Sequence, residues 1–126
     1  MATWHGESGR KNTGGKINLA RKKRRYELGG YPTYSKIGEE KRIIMSTKGG
    51  GKKVRLHSLS FVNLTDTKTH KTIKVKIIDV ISNFANPDLA RRKVITKGAI
   101  VNTEAGRARI VSRPGQDGVA NAIKIE

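Results

Sequence analysis

The chain has no cysteine in its 126 residues. That excludes a disulfide framework and any zinc site built on thiolates. It also lacks an apolar run long enough to cross a bilayer, and the apolar stretch of a signal peptide. The expectation is a soluble protein of the cytoplasm with no membrane partner. Acidic residues are scarce, 10 Asp+Glu against 27 Lys+Arg, which gives a formal charge of +17. Aromatic residues are few as well, with 1 Trp, 3 Tyr and 2 Phe. Hydrophobic content is 35 %, low for a compact domain. The Asn63-Leu64-Thr65 sequon has no expected use in that compartment.

Catalytic chemistry is missing too. His5, His57 and His70 lie far apart and have no metal-ligand spacing. No two of the acidic residues after position 55 form a D-x-D or E-x-x-E pair. Asp79, flanked by Ile78 and Val80, reads as a strand residue paired with a nearby Lys or Arg. The segment Gly9–Lys16 superficially resembles a phosphate loop. Its glycine spacing is one residue too long, and Ile17 stands where a Mg²⁺-binding hydroxyl is needed. Its glycines read instead as places where backbone can approach a phosphate closely. The expectation is no enzyme, no metal, no cofactor and no small-molecule substrate.

What the chain does have is positive charge, unevenly placed. Residues 1–36 hold nine basic and two acidic residues, including the run Arg21-Lys22-Lys23-Arg24-Arg25. Large apolar side chains are too few there to offset the entropy of ordering the backbone. This segment reads as a basic arm, either a disordered tail or one that folds on a polyanion. Residues 16–28 could form a short helix closed by Gly29. At about 100° per residue its cations would point all around the axis, so anionic groups would have to surround it. A membrane surface is the rival polyanion, and the arm lacks the apolar face that would need.

Residues 37–126 form the second part. Short β-rich runs recur there at 41–48, 53–64, 72–81, 93–97, 99–103, 107–112 and 119–125. In 72–81, Ile73, Val75 and Ile77 alternate with Lys74 and Lys76, and the phase then slips at Ile78 and Val80, which predicts a bulge. A similar slip separates Val54 and Leu56 from Leu59 and Phe61. Asn86-Pro87 predicts one helical turn with Asn86 as N-cap and Pro87 at N1. Pro114-Gly115 predicts a type II turn. The fold expected is all-β, a small barrel of about six to seven short strands, with an open β-sandwich as the alternative.

Candidate RNA-binding residues follow from charge and planarity. Lysine neutralises phosphate, arginine also bridges phosphate oxygens or stacks on a base, and aromatic rings stack. In the arm these are Trp4, His5, Arg10, Lys11, Lys16, Arg21, Lys22, Lys23, Arg24, Arg25 and Lys36. Trp4 has two readings, packing on the barrel or stacking on a base. In the second part they are Lys52, Lys53, Arg55, Arg91, Arg92, Lys97 and Arg113. Three functions compete: a ribosomal RNA-binding protein, a generic DNA- or chromatin-binding protein, and an RNA-modifying enzyme, which the missing catalytic cluster opposes.

Several blocks of sequence favour the first. Trp4-His5-Gly6-x-Ser8-Gly9-Arg10-Lys11-x-Thr13-Gly14-Gly15 and Ala20-Arg21-Lys22-Lys23-Arg24-x-Tyr26-Glu27-Leu28-Gly29 open the chain. Asn86-Pro87, Arg91-Arg92, Ile95-Thr96-Lys97-Gly98-Ala99-Ile100 and Ser112-Arg113-Pro114-Gly115-Gln116-Asp117-Gly118 follow. Together they resemble the eighth small-subunit ribosomal protein family of the archaeal and eukaryotic series, which bacteria lack. Eukaryotic members carry a long insertion absent here, so the chain resembles the archaeal type. The resemblance implies a constituent of the small ribosomal subunit, with small-subunit ribosomal RNA and neighbouring ribosomal proteins as partners. It also implies an arm threading between RNA helices while the barrel holds a surface position.

Overall fold

A computed structural model describes residues 3–125. In chain order its strands are β1 (Thr3–Trp4), β2 (Leu28–Gly29), β3 (Ser35–Ile37), β4 (Lys41–Ser46), β5 (Lys52–Leu59) and β6 (Phe61–Thr65). They continue as β7 (Thr72–Ser82), β8 (Val94–Ile95), β9 (Ile100–Thr103), β10 (Gly106–Ile110) and β11 (Asn121–Lys124). Helical structure among the described residues is a 3-10 turn at Arg25–Glu27 and two single-turn helices, α1 (Pro87–Arg91) and α2 (Pro114–Asp117). The chain divides into two units, Met1–Pro32 and Thr33–Glu126. Sequence alone puts the division after residue 36. In the structure Ser35 and Lys36 lie in β3, paired with β5 and β8 inside the larger unit.

The larger unit contains the expected all-β barrel, with five strands closed in the order β10-β11-β6-β7-β9. Five strands running alternately up and down leave the last parallel to the first, so one seam must be parallel. That seam is β11–β6, with Asn121, Ala122 and Ile123 opposite Asn63, Leu64 and Thr65. Alternation then sorts side chains between wall and core. Val62, Leu64, Val75, Ile77, Val80, Val101, Ala108, Ile110 and Ala122 point inward and are buried. Ala108 and Ala122 leave room for the larger side chains in a narrow interior. Full burial of a residue such as Leu64 contributes about 1.5–3 kcal/mol.

The strands of the larger unit outnumber the six to seven expected, because a second sheet, β4-β5-β3-β8, stands beside the barrel. It adds Leu56, Leu59 and Ile95 to the same apolar cluster. The run 53–64 is accordingly not one bulged strand. It breaks at Ser60, where β5 ends in one sheet and β6 begins in the other, so the phase slip marks a corner. The slip in β7 is a bulge, as expected, and a second follows, with register shifts at Ile77/Asp79 and at Val80/Ser82.

Turn chemistry explains the remaining boundaries. Asn86 caps α1 through its side-chain oxygen, which accepts from the Asp88 N–H at 2.9 Å, and Pro87 sits at N1. At Pro114-Gly115 the expected type II turn is replaced by α2, which Gly118 closes in the left-handed conformation at φ 70. Proline at N1 with glycine after the last turn marks a short helix as well as it marks a turn. Gly115 is needed for space, because a Cβ there would lie 2.6 Å from the Thr33 carbonyl oxygen.

Candidate nucleic-acid interface

In the smaller unit residues 16–28 are not an α-helix in the absence of a polyanion. Only the 3-10 turn at Arg25–Glu27 is helical. Five consecutive cations repel one another, and no apolar face rewards helix formation. Backbone pairing takes its place. β1 and β2 are antiparallel, with Thr3 opposite Gly29 and Trp4 opposite Leu28, and the His5 N–H extends the ladder to the Glu27 carbonyl at 2.9 Å. Residues 9–17 form a second hairpin, bridged at Arg10 and Lys16. The Ile17 N–H donates to Gly9 and the Lys11 N–H to Gly15, at 2.9 and 2.8 Å. Gly14 turns this hairpin at φ 86, so its conformational freedom is used within the arm.

Glu27 organises this unit. One carboxylate oxygen accepts from Trp4 Nε1–H and from the Arg24 backbone N–H, each at 3.0 Å. The other accepts from Arg21 Nη2 at 2.6 Å. Those donors, the Arg24 N–H first, then Trp4, then Arg21, hold the Glu27 carboxyl down at about 2. The indole of Trp4 covers Gly6, where any Cβ would collide with it, and the His5 ring covers Gly29 in the same way. Lys23 lies 5.2 Å from the Trp4 ring and Arg21 lies 5.7 Å from the Tyr26 ring. A cleft of about 370 Å³ runs beside this cluster, lined by Trp4, Leu19, Arg21, Lys22 and Lys23 among others. Trp4 therefore packs within its own unit and ties β1 to the basic run.

Every candidate cation in this unit is exposed: Arg10, Lys11, Lys16, Arg21, Lys22, Lys23, Arg24 and Arg25. Apart from Arg21, each keeps its charge outside the ion pair with Glu27. The unit thus presents a short, backbone-pinned string of positive charges.

In the larger unit the candidates are scattered. Lys36 lies exposed in β3. Lys52, Lys53 and Arg55 share β5, but alternation splits them between faces. Lys53 and Arg55 stand opposite Met45 and Ile43 of β4, while Lys52 stands opposite Ser46. Arg91 ends α1, and Arg92 caps it with an ion pair to Asp88 at 3.1 Å. Lys97 is exposed in a turn, and Arg113 is exposed at the N-cap of α2. Asp79 pairs with Lys93 at 3.3 Å. Its carboxyl is held below the usual range by the Val80 N–H and by Lys93.

Two further cations, Arg107 and Arg109, were not among the sequence candidates. Both are exposed on β10 and alternate with buried Ala108 and Ile110. That period of two was the available signal.

Among the described residues no group of acidic or histidine side chains could hold a metal, and no helix is long and apolar enough to cross a membrane. The class defined so far is a small, strongly basic β-barrel protein with a charged, separately organised arm. Residues 4–125 match the family model for Ribosomal protein S8e, and the chain belongs to that family. It is 50 % identical over 120 residues to the small ribosomal subunit protein eS8 of Methanoregula boonei, covering 95 % of this chain and 96 % of the relative. The eS8 proteins of Methanocorpusculum labreanum and Methanospirillum hungatei are each 50 % identical over 123 residues, 98 % of either chain. Membership in this family makes the chain a non-enzymatic protein.

Proposed function

We propose that the chain is a structural constituent of the small subunit of the cytoplasmic ribosome and binds ribosomal RNA through its arm and its larger unit. Neighbouring ribosomal proteins are its other partners. The observation that carries this reading is the Arg21–Arg25 run, exposed throughout on a backbone that Glu27 pins from within. Each of these cations that meets a phosphate releases a counterion, so the arm binds RNA in a salt-dependent way. Arg10, Lys11 and Lys16 widen the same surface on the neighbouring hairpin. In the larger unit Lys36, Lys52, Lys53, Arg55, Arg91, Arg92, Lys97 and Arg113 supply further phosphate partners spread over several elements. Family membership and the names of the eS8 relatives support the assignment to the small subunit.

The test is binding of the full chain to small-subunit ribosomal RNA across a salt series. Replacing Arg21–Arg25 with Ala is expected to weaken binding. It should also flatten the log–log salt slope by about 0.7–0.9 for each phosphate that is no longer neutralised. An unchanged slope would remove the arm from the interface. Equal affinity for duplex DNA and for folded ribosomal RNA would favour a generic DNA-binding protein.

A further inference from the structure

The outward face of the barrel where β11, β6 and the first half of β7 lie side by side has an unusual composition. Alternation sends Val62, Leu64, Val75 and Ala122 inward. It leaves Phe61 and Asn63 on β6, Lys74 and Lys76 on β7, and Asn121 on β11 facing out. Registers place them in rows. Asn121 stands opposite Asn63 and Asn63 opposite Lys74, while Phe61 stands opposite Lys76. The two asparagines are joined, Asn63 Nδ2 donating to Asn121 Oδ1 at 3.0 Å. Phe61 is 45 % exposed, and Lys74 Nζ sits 4.9 Å from its ring centroid.

Three features converge. An aromatic ring is displayed on a rigid sheet, where it adds nothing to the core. Two lysines flank it from the adjacent strand. The three strand segments 61–65, 72–76 and 121–124 contain no acidic residue. An anionic ligand with a flat apolar part fits all three. A nucleotide has both parts, and its base is free to stack only when unpaired.

We propose that this wall binds an unpaired stretch of RNA, with one base stacked on Phe61 and the flanking phosphates on Lys74 and Lys76. It rests on the ribosomal reading above and names which RNA the barrel takes. On binding, the base displaces the Lys74 ammonium from the ring, and that ammonium swings to a phosphate. The Asn63–Asn121 pair offers its remaining amide donors and acceptors to the edge of a neighbouring base. The division of labour differs from that of the arm, which meets phosphates without regard to pairing.

The experiment uses the full chain carrying Ala at Arg10, Lys11, Lys16 and Arg21–Arg25, which removes the cations of the arm, and a labelled oligouridine of about 12 nucleotides. Binding is expected, and a duplex RNA of equal length should compete poorly. Phe61→Leu should weaken oligouridine binding about tenfold, the scale of one base–aromatic stack, with the thermal transition unchanged. Lys74→Ala with Lys76→Ala should flatten the salt slope by about 1.4, the value for two phosphates of a single strand. Indifference of oligouridine binding to Phe61→Leu would overturn the proposal, as would equal competition by duplex. Capture of acidic peptides in place of RNA would overturn it as well. These results are independent of the arm, whose own failure would show as an unchanged salt slope when only Arg21–Arg25 are replaced.

Discussion

The two units are held together by different physics. The larger one buries side chains such as Leu59, Leu64 and Ile110 to within 2 % of full burial. The smaller one contains no residue classed as buried among those described. A single carboxylate, Glu27, gathers an indole N–H, a guanidinium and a backbone N–H instead. The apolar core tolerates salt and pH, whereas the polar hub depends on one group staying ionised. The charged part is shaped by polar contacts, and the larger unit holds its fold through apolar burial.

Cutting the chain is the largest perturbation of that comparison. Removing residues 1–32 is expected to leave the cooperative thermal transition of the larger unit in place. Removing residues 1–37 also deletes β3, the strand between β5 and β8. It takes Ser35 as well, buried with its hydroxyl donating to the Leu56 carbonyl at 2.7 Å. That longer cut should abolish the transition in a circular dichroism melt. If both truncations melt alike, β3 is not integral to the larger unit.

A core substitution comes next. Leu64→Ala should cost about 2–5 kcal/mol in denaturant unfolding, since Leu64 is 2 % exposed at the parallel seam. The Trp4 environment should be unaffected below the unfolding midpoint. A cost near zero would mean that the seam is not closed in solution.

The smallest effect falls on the arm alone. Glu27 binds its proton more weakly when the arm is folded, at about 2 against an ordinary 4.5. Its contribution is therefore complete above about pH 4.5 and lost as pH falls toward 2. Trp4 fluorescence should titrate in that window, and Glu27→Gln should remove the titration while leaving the barrel melt unchanged. A Trp4 signal flat from pH 5 to pH 2 would show that Glu27 does not hold the indole.

Some of this was readable from the sequence and some was not. The strand at 72–81 was clear because Ile73, Val75 and Ile77 alternate with lysines. The α1 cap was clear because Asn-Pro has one strong use at a helix start. β3 was not, since Ser-Lys-Ile is too short to show a period. The corner at Ser60 carries no glycine or proline, so two strands in different sheets read as one. The pairing within the arm was not legible, because local propensity cannot register a hydrogen bond such as Trp4 to Glu27, 23 residues apart. The Arg21–Arg25 run stood out as a candidate site by composition. Lys74 and Lys76 stood out as one basic face of 72–81, but their grouping with Phe61 and Asn121 did not, because it depends on the β6–β7 and β11–β6 registers.

That parallel seam also sets a schedule. Asn121 and Asn63, hydrogen-bonded across it, are 58 residues apart in the chain. While the protein is being made, β6, β7, β9 and β10 can pair as they emerge, but they remain a curled sheet with two bare edges until β11 arrives. Such long-range closure is slow, and the half-made sheet is the species most exposed to wrong partners. The four residues of β11, which arrive after its two neighbours, are therefore the ones that close the barrel.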